Sequence, residues 1–407
     1  MILIILVSIV LIRTVVADST FTVIMVHESA GLDRENEYLE IPLQLNYAPA
    51  DTERYVAVDE AGNLTECQVV PHFSSPENKN RQLSLVFTVS LPAYTGKKIF
   101  LKKMKPGRFQ KSPDLQVRGE STELIIENMY YRADLTRSSQ SEAKNHASGQ
   151  LRELLVKMDI NQLLFRTENR MHWAPNFQKQ GAVEYKTIAQ WNKPGFNHMT
   201  KGPYLVKTAR QAPAPDHPEI LLTATYKFYA DKPYFIFYSE MDIVKDVVLV
   251  LLRNDEMTMD SMFTHVACKR HDGGIENLTF AERDKFLSSD PVENDATWIC
   301  FYNEDKNFGF GSIRIKYDNS NLFGDPSPLF MPHTKVSDGA EGGKYWNRRL
   351  IHDHPTFVPA GSRYMEENAY IVFRTDQGDR FEALDYWSQR LRNPIIWKII
   401  GTAEQKY

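Results

Sequence analysis

Side chains that could carry out acid–base chemistry are concentrated in four stretches of the sequence. The richest is residues 166–204, which hold two histidines, two tryptophans and two tyrosines with little apolar periodicity. A long irregular segment in a compact domain is uncommon unless it is functional or disordered, and this many aromatic side chains disfavour disorder. The sequence therefore predicts an ordered functional loop here, outside the core.

The other three polar stretches are residues 253–256, 269–274 and 344–354. His352 and His354 have a spacing that metal sites use on a strand, but no third ligand is evident nearby, so no metal is predicted. A Gly-x-Ser-x-Gly motif is absent and no cysteine has a recognisable catalytic setting, which disfavours a serine or cysteine nucleophile. Glycoside hydrolysis stays open as an alternative, because it needs two facing carboxyl groups and the sequence offers Glu168, Asp255, Glu256 and Asp260.

A third chemistry suits these residue types, namely β-elimination on a uronic acid. Removing the proton next to a carboxylate needs a cationic or amide group to offset charge, a base, and an acid for the leaving oxygen. Arginine, asparagine, histidine and tyrosine supply these groups, and tryptophan can stack on sugar rings. The competing interpretation is structural, with Arg253 and Glu256 as an ion pair and His172 and His265 as hydrogen-bonded core histidines.

Composition limits the class of partner and the location. The 407 residues carry a formal net charge of −4, which argues against nucleic acid as the main partner. Residues 2–12 form a short apolar run followed by small residues, so we expect residues 1–17 to be a signal peptide of a secreted or periplasmic protein, although no Lys or Arg precedes the run. No other segment is apolar over enough residues to span a bilayer, so no membrane association is expected after cleavage.

Strand patterns place these residues on an all-β protein with few helices. Short runs with period-two alternation, separated by Gly and Pro, predict an N-terminal β-sandwich over residues 18–103. A basic stretch containing Pro and Gly suggests a linker at 104–122. Many further strands and one late helix at 382–391 predict a large antiparallel β-supersandwich over residues 123–407, which would be the catalytic domain.

Several phrases of the sequence resemble a known family. They are VHESAGLDRENEYLEIPLQL, ENMYYRADL with SGQLREL, HWAPNFQ and LLRNDEMTMDSMFTH. They are similar to secreted polysaccharide-lyase-like proteins of marine bacteria, a group that includes the ulvan oligosaccharide dehydratase. The region from residue 123 also resembles the supersandwich of galactose-mutarotase-like domains. The resemblance implies an anionic oligosaccharide substrate of the ulvan type, whose non-reducing terminal glucuronic or iduronic acid is dehydrated to a 4,5-unsaturated uronate without a cofactor.

Within that scheme we assign roles as hypotheses. The acid–base pair would be His172 and His265, with Tyr204 as an alternative proton donor, and the carboxylate would be held by Arg253 and Asn254. The remaining substrate contacts would come from Trp173, His198, Lys201, Glu256, Tyr345, Arg348 and His354. A polysaccharide lyase, a glycoside hydrolase and a non-catalytic carbohydrate-binding protein remain alternatives, and the oligomeric state stays open.

Overall fold

A computed structural model describes residues 20–45, 54–71, 81–104, 114–139, 144–165, 170–282, 291–339 and 342–404. The expected signal peptide lies outside these residues. The protein is nearly all β, with antiparallel sheets, which confirms the predicted fold class. It divides into two compact units, of which the first combines Met1–Gln110 with Ile395–Tyr407 and the second is Lys111–Pro394.

The elements follow in chain order. The first six strands are β1 (Thr20–His27), β2 (Arg34–Leu45), β3 (Arg54–Asp59), β4 (Leu64–Pro71), β5 (Arg81–Leu91) and β6 (Gly96–Met104). The next eleven are β7 (Gln116–Glu120), β8 (Glu123–Glu127), β9 (Tyr131–Asp134), β10 (Glu153–Val156), β11 (Gln162–Phe165), β12 (Asn176–Lys179), β13 (Lys186–Thr187), β14 (Phe196–Thr200), β15 (Leu205–Ala214), β16 (His217–Tyr229) and β17 (Tyr234–Ile243). The remainder are β18 (Val247–Met259), β19 (His265–Lys269), β20 (Ile275–Thr279), β21 (Trp298–Asn303), β22 (Phe308–Asp318), β23 (His333–Asp338), β24 (Lys344–Val358), β25 (Arg363–Arg374), helix α1 (Glu382–Arg392) and β26 (Ile396–Glu404), with a 3-10 turn at Ile188–Gln190.

The first unit is a seven-stranded sheet in the order β2-β5-β4-β3-β6-β1-β26. Successive side chains point to opposite faces of each strand, so that residues such as Ile24, Ile41 and Leu85 point into one apolar core. The edge strand β26 pairs antiparallel with β1. Residues 396–404 therefore belong with the N-terminal unit, and the sequence-based prediction that the second domain runs to residue 407 is wrong on this point.

The second unit contains three sheets. Strands β7 to β11 form the first in the order β11-β10-β9-β8-β7, so the predicted linker at 104–122 contains a paired strand, Gln116–Glu120. The second has the order β13-β12-β18-β24-β23, and the third has nine strands in the order β14-β15-β16-β17-β25-β22-β21-β19-β20. One hydrophobic core takes side chains from all three sheets.

Helix α1 lies close to the nine-stranded sheet and matches the helix predicted at 382–391. Its buried residues Leu384 and Ser388 are four positions apart and share one face. On β22, a Cβ added at Gly311 would lie 3.2 Å from Leu384 Cδ2. The glycine therefore allows the close approach of helix and strand.

The segment predicted to be a surface loop, residues 166–204, is partly core. Residues 166–169 lie outside the described part of the chain, and the remainder contains strands β12, β13 and β14. Met171, His172, Phe177, Ile188 and Trp191 are buried in the core of the unit. The prediction that this segment lies outside the core is therefore wrong for much of its length.

Three smaller findings bear on the predicted chemistry. Cys67, Cys268 and Cys300 are buried and free. Among the described residues, no three His, Cys, Asp or Glu side chains are grouped to hold a metal ion. Within the same residues, no helix is long and apolar enough to cross a membrane.

Candidate functional site

A row of polar side chains crosses the second sheet on one face. Register pairs His333 with Arg349, Arg349 with Arg253, and Arg253 with Asn176, so one row runs across β23, β24, β18 and β12. In the next row, Lys335 pairs with Asn347. Residues directly opposite on antiparallel strands lie on the same side of the sheet. We call this set the basic face: Asn176, Arg253, His333, Lys335, Asn347 and Arg349.

The opposite side of the same strands faces the hydrophobic core. Leu252, Trp346 and Ile351 on β18 and β24 are fully buried members of that core. Because side chains alternate along a strand, Arg349 and Asn347 point away from Trp346 and Arg348. The basic face is thus the side turned away from the core, and its side chains Arg253, His333 and Lys335 are partly exposed.

The arginines are held by a few carboxylate and imidazole contacts. Arg253 Nη1 lies 3.4 Å from Glu256 Oε2. Arg349 Nη1 lies 2.6 Å from His352 Nδ1 and 3.7 Å from Asp353 Oδ2, and its Nε donates to Asn347 Oδ1 at 3.3 Å. Asp353 is 70% exposed at its side chain, so solvent weakens its pull on the guanidinium. Positive charge is therefore only partly offset on this face.

Several buried polar atoms on the basic face have no hydrogen bond with the described residues. They are both amide atoms of Asn176, Nε of Arg253 and Nδ2 of Asn347. Buried polar atoms in folded proteins are nearly always paired, and each exception needs an explanation. Three donors and an acceptor gathered beside two arginines are suited to a bound anion that has further hydrogen-bonding groups.

The electrostatics of the basic face keep its histidines neutral. Burial, followed by the charge of Arg349, lowers the pKa of His352 to about 4. Burial also lowers the pKa of His333, whose ring lies edge-on to His352 with centroids 4.8 Å apart. Burial and then Arg253 lower the pKa of Arg349. Two unprotonated imidazoles therefore stand beside two guanidinium groups at neutral pH. Arg349 can only donate, so it bonds to the lone pair on His352 Nδ1. His333 Nδ1 donates to the Met331 carbonyl at 2.7 Å, which leaves Nε2 of His333 to accept a proton.

Aromatic side chains flank the basic face. The Tyr185 ring lies 5.7 Å from the Arg253 guanidinium and edge-on to Trp173, with ring centroids 6.3 Å apart. Tyr345 pairs with Thr258 and Ser337 two residues before Asn347, so it lies on the same side. Such rings can stack on the apolar face of a sugar while polar groups bind its hydroxyls.

The structure brings only some of the predicted site residues together. Arg253, Glu256 and Tyr345 meet at the basic face, and Trp173 adjoins it through Tyr185. His354, further along β24, is exposed and stacks on Phe330 at 3.9 Å. The remaining predicted residues lie elsewhere.

His172 lies inside the core, in a chain of hydrogen bonds that is satisfied at every step. Its Nδ1 lies 2.5 Å from the Tyr226 hydroxyl, which accepts from the Leu151 amide, and its Nε2 lies 3.2 Å from the Tyr370 hydroxyl. Tyr370 donates to Asp255 Oδ1 at 3.2 Å. One set of donor and acceptor roles satisfies every member: the Tyr226 hydroxyl donates to Nδ1, and the N–H at Nε2 donates to the Tyr370 hydroxyl. Burial lowers the pKa of His172 well below its usual value, which fits the neutral ring.

Asp255 ends this chain and is fully buried. It accepts from Ser312 Oγ at 2.8 Å and from Trp346 Nε1 at 3.3 Å, and it pairs with Arg314 at 3.1 Å. Its φ of +46° marks the bulge where β18 and β24 change register. A buried carboxylate paired with an arginine and bonded this fully is structural.

Three other predicted residues also face inward or are buried. Asn254 pairs with Arg348 across β18 and β24, and both are buried. The Arg348 guanidinium lies 3.6 Å from the centroid of the Tyr317 ring. Tyr204 is 3% exposed. These positions place Asn254, predicted to hold the carboxylate, Arg348, predicted to contact substrate, and Tyr204, predicted as the alternative proton donor, away from the exposed groups of the basic face.

The two histidines predicted as an acid–base pair lie far apart. His172 contacts Tyr226, Phe237 and Tyr370, on the third, fourth and fifth strands of the nine-stranded sheet. His265 is on the eighth strand, where it stacks on Tyr302 at 4.7 Å. Three or more spacings of about 4.8 Å separate the two groups, which one sugar ring does not span. The predicted pairing is therefore wrong.

The last two predicted contacts lie at the other end of that sheet. His198 is on β14, the first strand, and its Nε2 lies 3.2 Å from the Thr200 hydroxyl. Lys201 is exposed and follows the same strand. Seven strand spacings separate β14 from β19 along the sheet.

Sequence reasoning missed most of the basic face. Five of its members and the neighbouring His352 were not assigned substrate contacts; the five are Asn176, His333, Lys335, Asn347 and Arg349. A signal for them exists, because polar residues recur at 333 and 335 and at 345, 347 and 349 with the period of a strand. Their meeting across β23, β24 and β18 depends on register, which the pattern alone does not give.

Comparison with known proteins adds the fold but no family. No family description matches the sequence, and no curated protein matches it. Two solved structures from Enterococcus faecalis share the fold: a protein of glycosyl hydrolase family 38, at 10% identity and a TM-score of 0.51, and an alpha-mannosidase, also at 10% and 0.51. They cover 94% and 95% of this chain, which spans only 47% and 46% of their own lengths. A GalM/aldose epimerase homologue from C. elegans matches 64% of the chain at a TM-score of 0.33, which is too low to support an argument.

Proposed function

We propose that this protein is a carbohydrate-active carbon–oxygen lyase that dehydrates the terminal uronic acid of anionic oligosaccharides at the basic face. The observation that carries the proposal is the row of Arg253 and Arg349 beside unpartnered amide groups and two neutral histidines. A uronate carboxylate fits the guanidinium groups, because arginine binds carboxylates with two parallel hydrogen bonds. The sugar hydroxyls fit the amides of Asn176 and Asn347.

In the proposed reaction, an imidazole removes the proton from the carbon that carries the carboxylate. His333 is the candidate base, since its Nδ1 donates to the Met331 carbonyl and its Nε2 is unprotonated at neutral pH. In His352 the corresponding lone pair, on Nδ1, is already bonded to Arg349. Arg253 and Arg349 stabilise the negative charge that builds on the carboxylate as the C–H bond breaks. The electron pair forms the C4–C5 double bond, the C4–O bond breaks, and Tyr345 is the candidate donor of the proton that makes the leaving oxygen water.

The alternative chemistries have less support on this face. A hydrolase needs two free carboxyl groups across a bond, whereas Glu256 is paired with Arg253 and Asp255 is buried with Arg314. Glu168 lies outside the described residues. Expulsion of a sugar instead of water would use the same groups, so the leaving group has to be decided by the products.

The test is incubation of the purified protein with uronate-terminated sulfated oligosaccharides, followed by ultraviolet absorbance of the unsaturated uronate and by mass spectrometry. Rising absorbance with loss of one water per chain supports the dehydratase. Rising absorbance with chain shortening would replace it by a polysaccharide lyase. New reducing ends without absorbance, or binding with unchanged masses, would overturn the elimination in favour of a hydrolase or a binding protein. Arg118 is exposed and away from the basic face, so Arg118→Ala is a matched control for Arg253→Ala and Arg349→Ala.

A further inference from the structure

A second concave site lies between β25 and helix α1 in the second unit. It is a cavity of about 380 Å³, lined by the end of β25, the turn after it, the first turns of α1, and side chains from the 130 and 158 regions. That volume is at the lower end of the range of small-molecule sites, about 300–1,000 Å³. The cavity belongs to the nine-stranded sheet and the basic face to the second sheet, and they have no lining residue in common.

The walls of the cavity are aromatic. Trp387 and Tyr386 on α1 meet edge-to-face at 5.0 Å, and Trp387 is held from behind by Tyr234 at 4.9 Å. Tyr130 is half-buried on another side, and Phe373 is buried in the floor. Tyr386 stays 41% exposed. Trp387 is thus fixed by its neighbours, whereas part of the aromatic surface remains open to a ligand.

Polar groups stand at the rim of these aromatic walls. The carboxylate of Glu382, the amide of Gln377 and the indole N–H of Trp387 make no hydrogen bond with the described residues. The Arg374 guanidinium is held by Asp376 and by the Met158 carbonyl at 3.2 Å. Gly378 has a φ of +61°, and a Cβ there would collide with the Glu382 carboxylate. The glycine therefore leaves room for the carboxylate above the turn.

We propose that this cavity is a second binding site, for an uncharged pyranose ring. The C–H face of a sugar fits the rings of Trp387, Tyr386 and Tyr130, and its hydroxyls can donate to Glu382 and bond to Gln377, which is the mixture of apolar walls and few polar groups that small-ligand sites use. Glu382 is not paired with a cation, whereas Arg374 is already paired with Asp376. Two further cations, Lys232 and Arg390, lie over the Trp387 and Tyr386 rings, 5.3 and 3.4 Å from the ring centroids. The Glu382 carboxylate, which makes no ion pair with the described residues, repels an anionic sugar, so the site favours neutral units. The assignment rests on the cavity itself and goes beyond the elimination proposed at the basic face.

The experiment follows the six tryptophan indole signals of ¹⁵N-labelled full-length protein during titration with methyl β-glucopyranoside, methyl α-mannopyranoside, methyl α-rhamnopyranoside and cellobiose. The signal lost in Trp387→Phe should shift saturably with at least one probe. Tyr386→Ala and Glu382→Gln should weaken that binding at least tenfold, because both side chains are exposed and their replacement leaves the core intact. Arg253→Ala should leave it unchanged.

Failure of this proposal and failure of the elimination give different results. A saturable shift at Trp387 without unsaturated product supports the cavity site and overturns only the lyase. Product formation with no shift at Trp387 up to the highest probe concentration overturns only the cavity site. A shift that persists in both Tyr386→Ala and Glu382→Gln would also overturn it, because the ligand would then bind elsewhere.

Discussion

Arg253 and Arg349 lie directly opposite each other on β18 and β24, although like charges in this position destabilise a sheet. Burial and the neighbouring charge of Arg253 together lower the pKa of Arg349. The partial offset from Glu256 and from the exposed Asp353 leaves a site that gains free energy when an anion binds. The pair is therefore better explained by ligand binding than by stability.

Replacing either arginine separates these two explanations. We expect Arg253→Ala and Arg349→Ala to lower kcat/KM on uronate substrates about 100-fold, because charged hydrogen bonds are worth about 1.5–3 kcal/mol each. For Arg349→Ala we expect the free energy of unfolding by urea to stay unchanged or rise, since like-charge repulsion is removed. Arg253→Ala should lose some stability, because it leaves the nearly buried Glu256 carboxylate without its arginine. Arg118→Ala should alter neither quantity. Lost stability with full activity would show that the arginines are structural.

The pH dependence of the reaction should follow His333. Burial first, and also the charge of Arg349, lower the pKa of this imidazole below its usual value. The acid limb of kcat/KM should therefore lie below the ordinary histidine value near 6.5. Arg349→Met should raise the pKa of His333 in an NMR titration and move any remaining acid limb upward. An acid limb that stays in place in this variant, or that survives in His333→Gln, would exclude His333 as the base.

Glu366 predicts that the free energy of unfolding falls as the pH rises toward 7. It is fully buried, and burial followed by the charge of Asp255 raises its pKa to about 7. The folded state therefore holds a proton that the unfolded chain releases near pH 4.5. Its stabilising contribution is complete below pH 4.5 and is lost as the pH rises through 7. Glu366→Gln should flatten this part of the profile of unfolding free energy against pH and raise the Tm at pH 8. An unchanged slope between pH 5 and 8 would contradict the assignment.

The buried pair of Asp255 and Arg314 predicts a large effect on folding. Asp255→Ala leaves Arg314 uncompensated in the core, and breaking a buried pair in this way is worth about 3–5 kcal/mol of stability. Asp255→Asn, which keeps the hydrogen bond from Ser312, should lose less. Urea unfolding of the two variants measures the difference. If both variants are as stable as the natural chain, Asp255 is not the structural carboxylate inferred from its contacts.

Local patterns in the sequence were sufficient for the elements themselves. The amphipathic spacing at 382–391 matches α1, Glu382–Arg392, because that signal lies within a few consecutive turns. Alternation along strands gave the all-β fold for the same reason. The polar stretch 344–354 lies within one strand, Lys344–Val358. Its partial burial comes from neighbours that the local pattern does not reveal.

Long-range pairing could not be predicted from these patterns. His172 resembles a catalytic histidine in a polar stretch, but its bridge to Met257 turns it toward Tyr226 and Tyr370. Arg253 was predicted to hold the substrate carboxylate and lies on the basic face, whereas its partner Arg349 was missed because β18 and β24 are far apart in the chain. A bulge at Asp255 decides which of residues 253–256 face inward, and a single shift of register would reverse that choice.

The pairing of β26 with β1 gives a final prediction, about the first unit. Ending the chain after Pro394 removes the edge strand Ile396–Glu404 together with Ile395, which is 5% exposed in the core of that unit. The backbone N–H and C=O groups of β1 that bond to β26 would then be unpaired. A sheet edge of this kind is prone to associate with other chains. We expect the shortened protein to aggregate, and hydrogen exchange to become faster in β1 and β6. Ending the chain after Glu404 is the matched control and should behave as the full-length protein does. A soluble, fully protected first unit in the shorter variant would show that β26 is dispensable, since the sheet would then be stable with β1 at its edge.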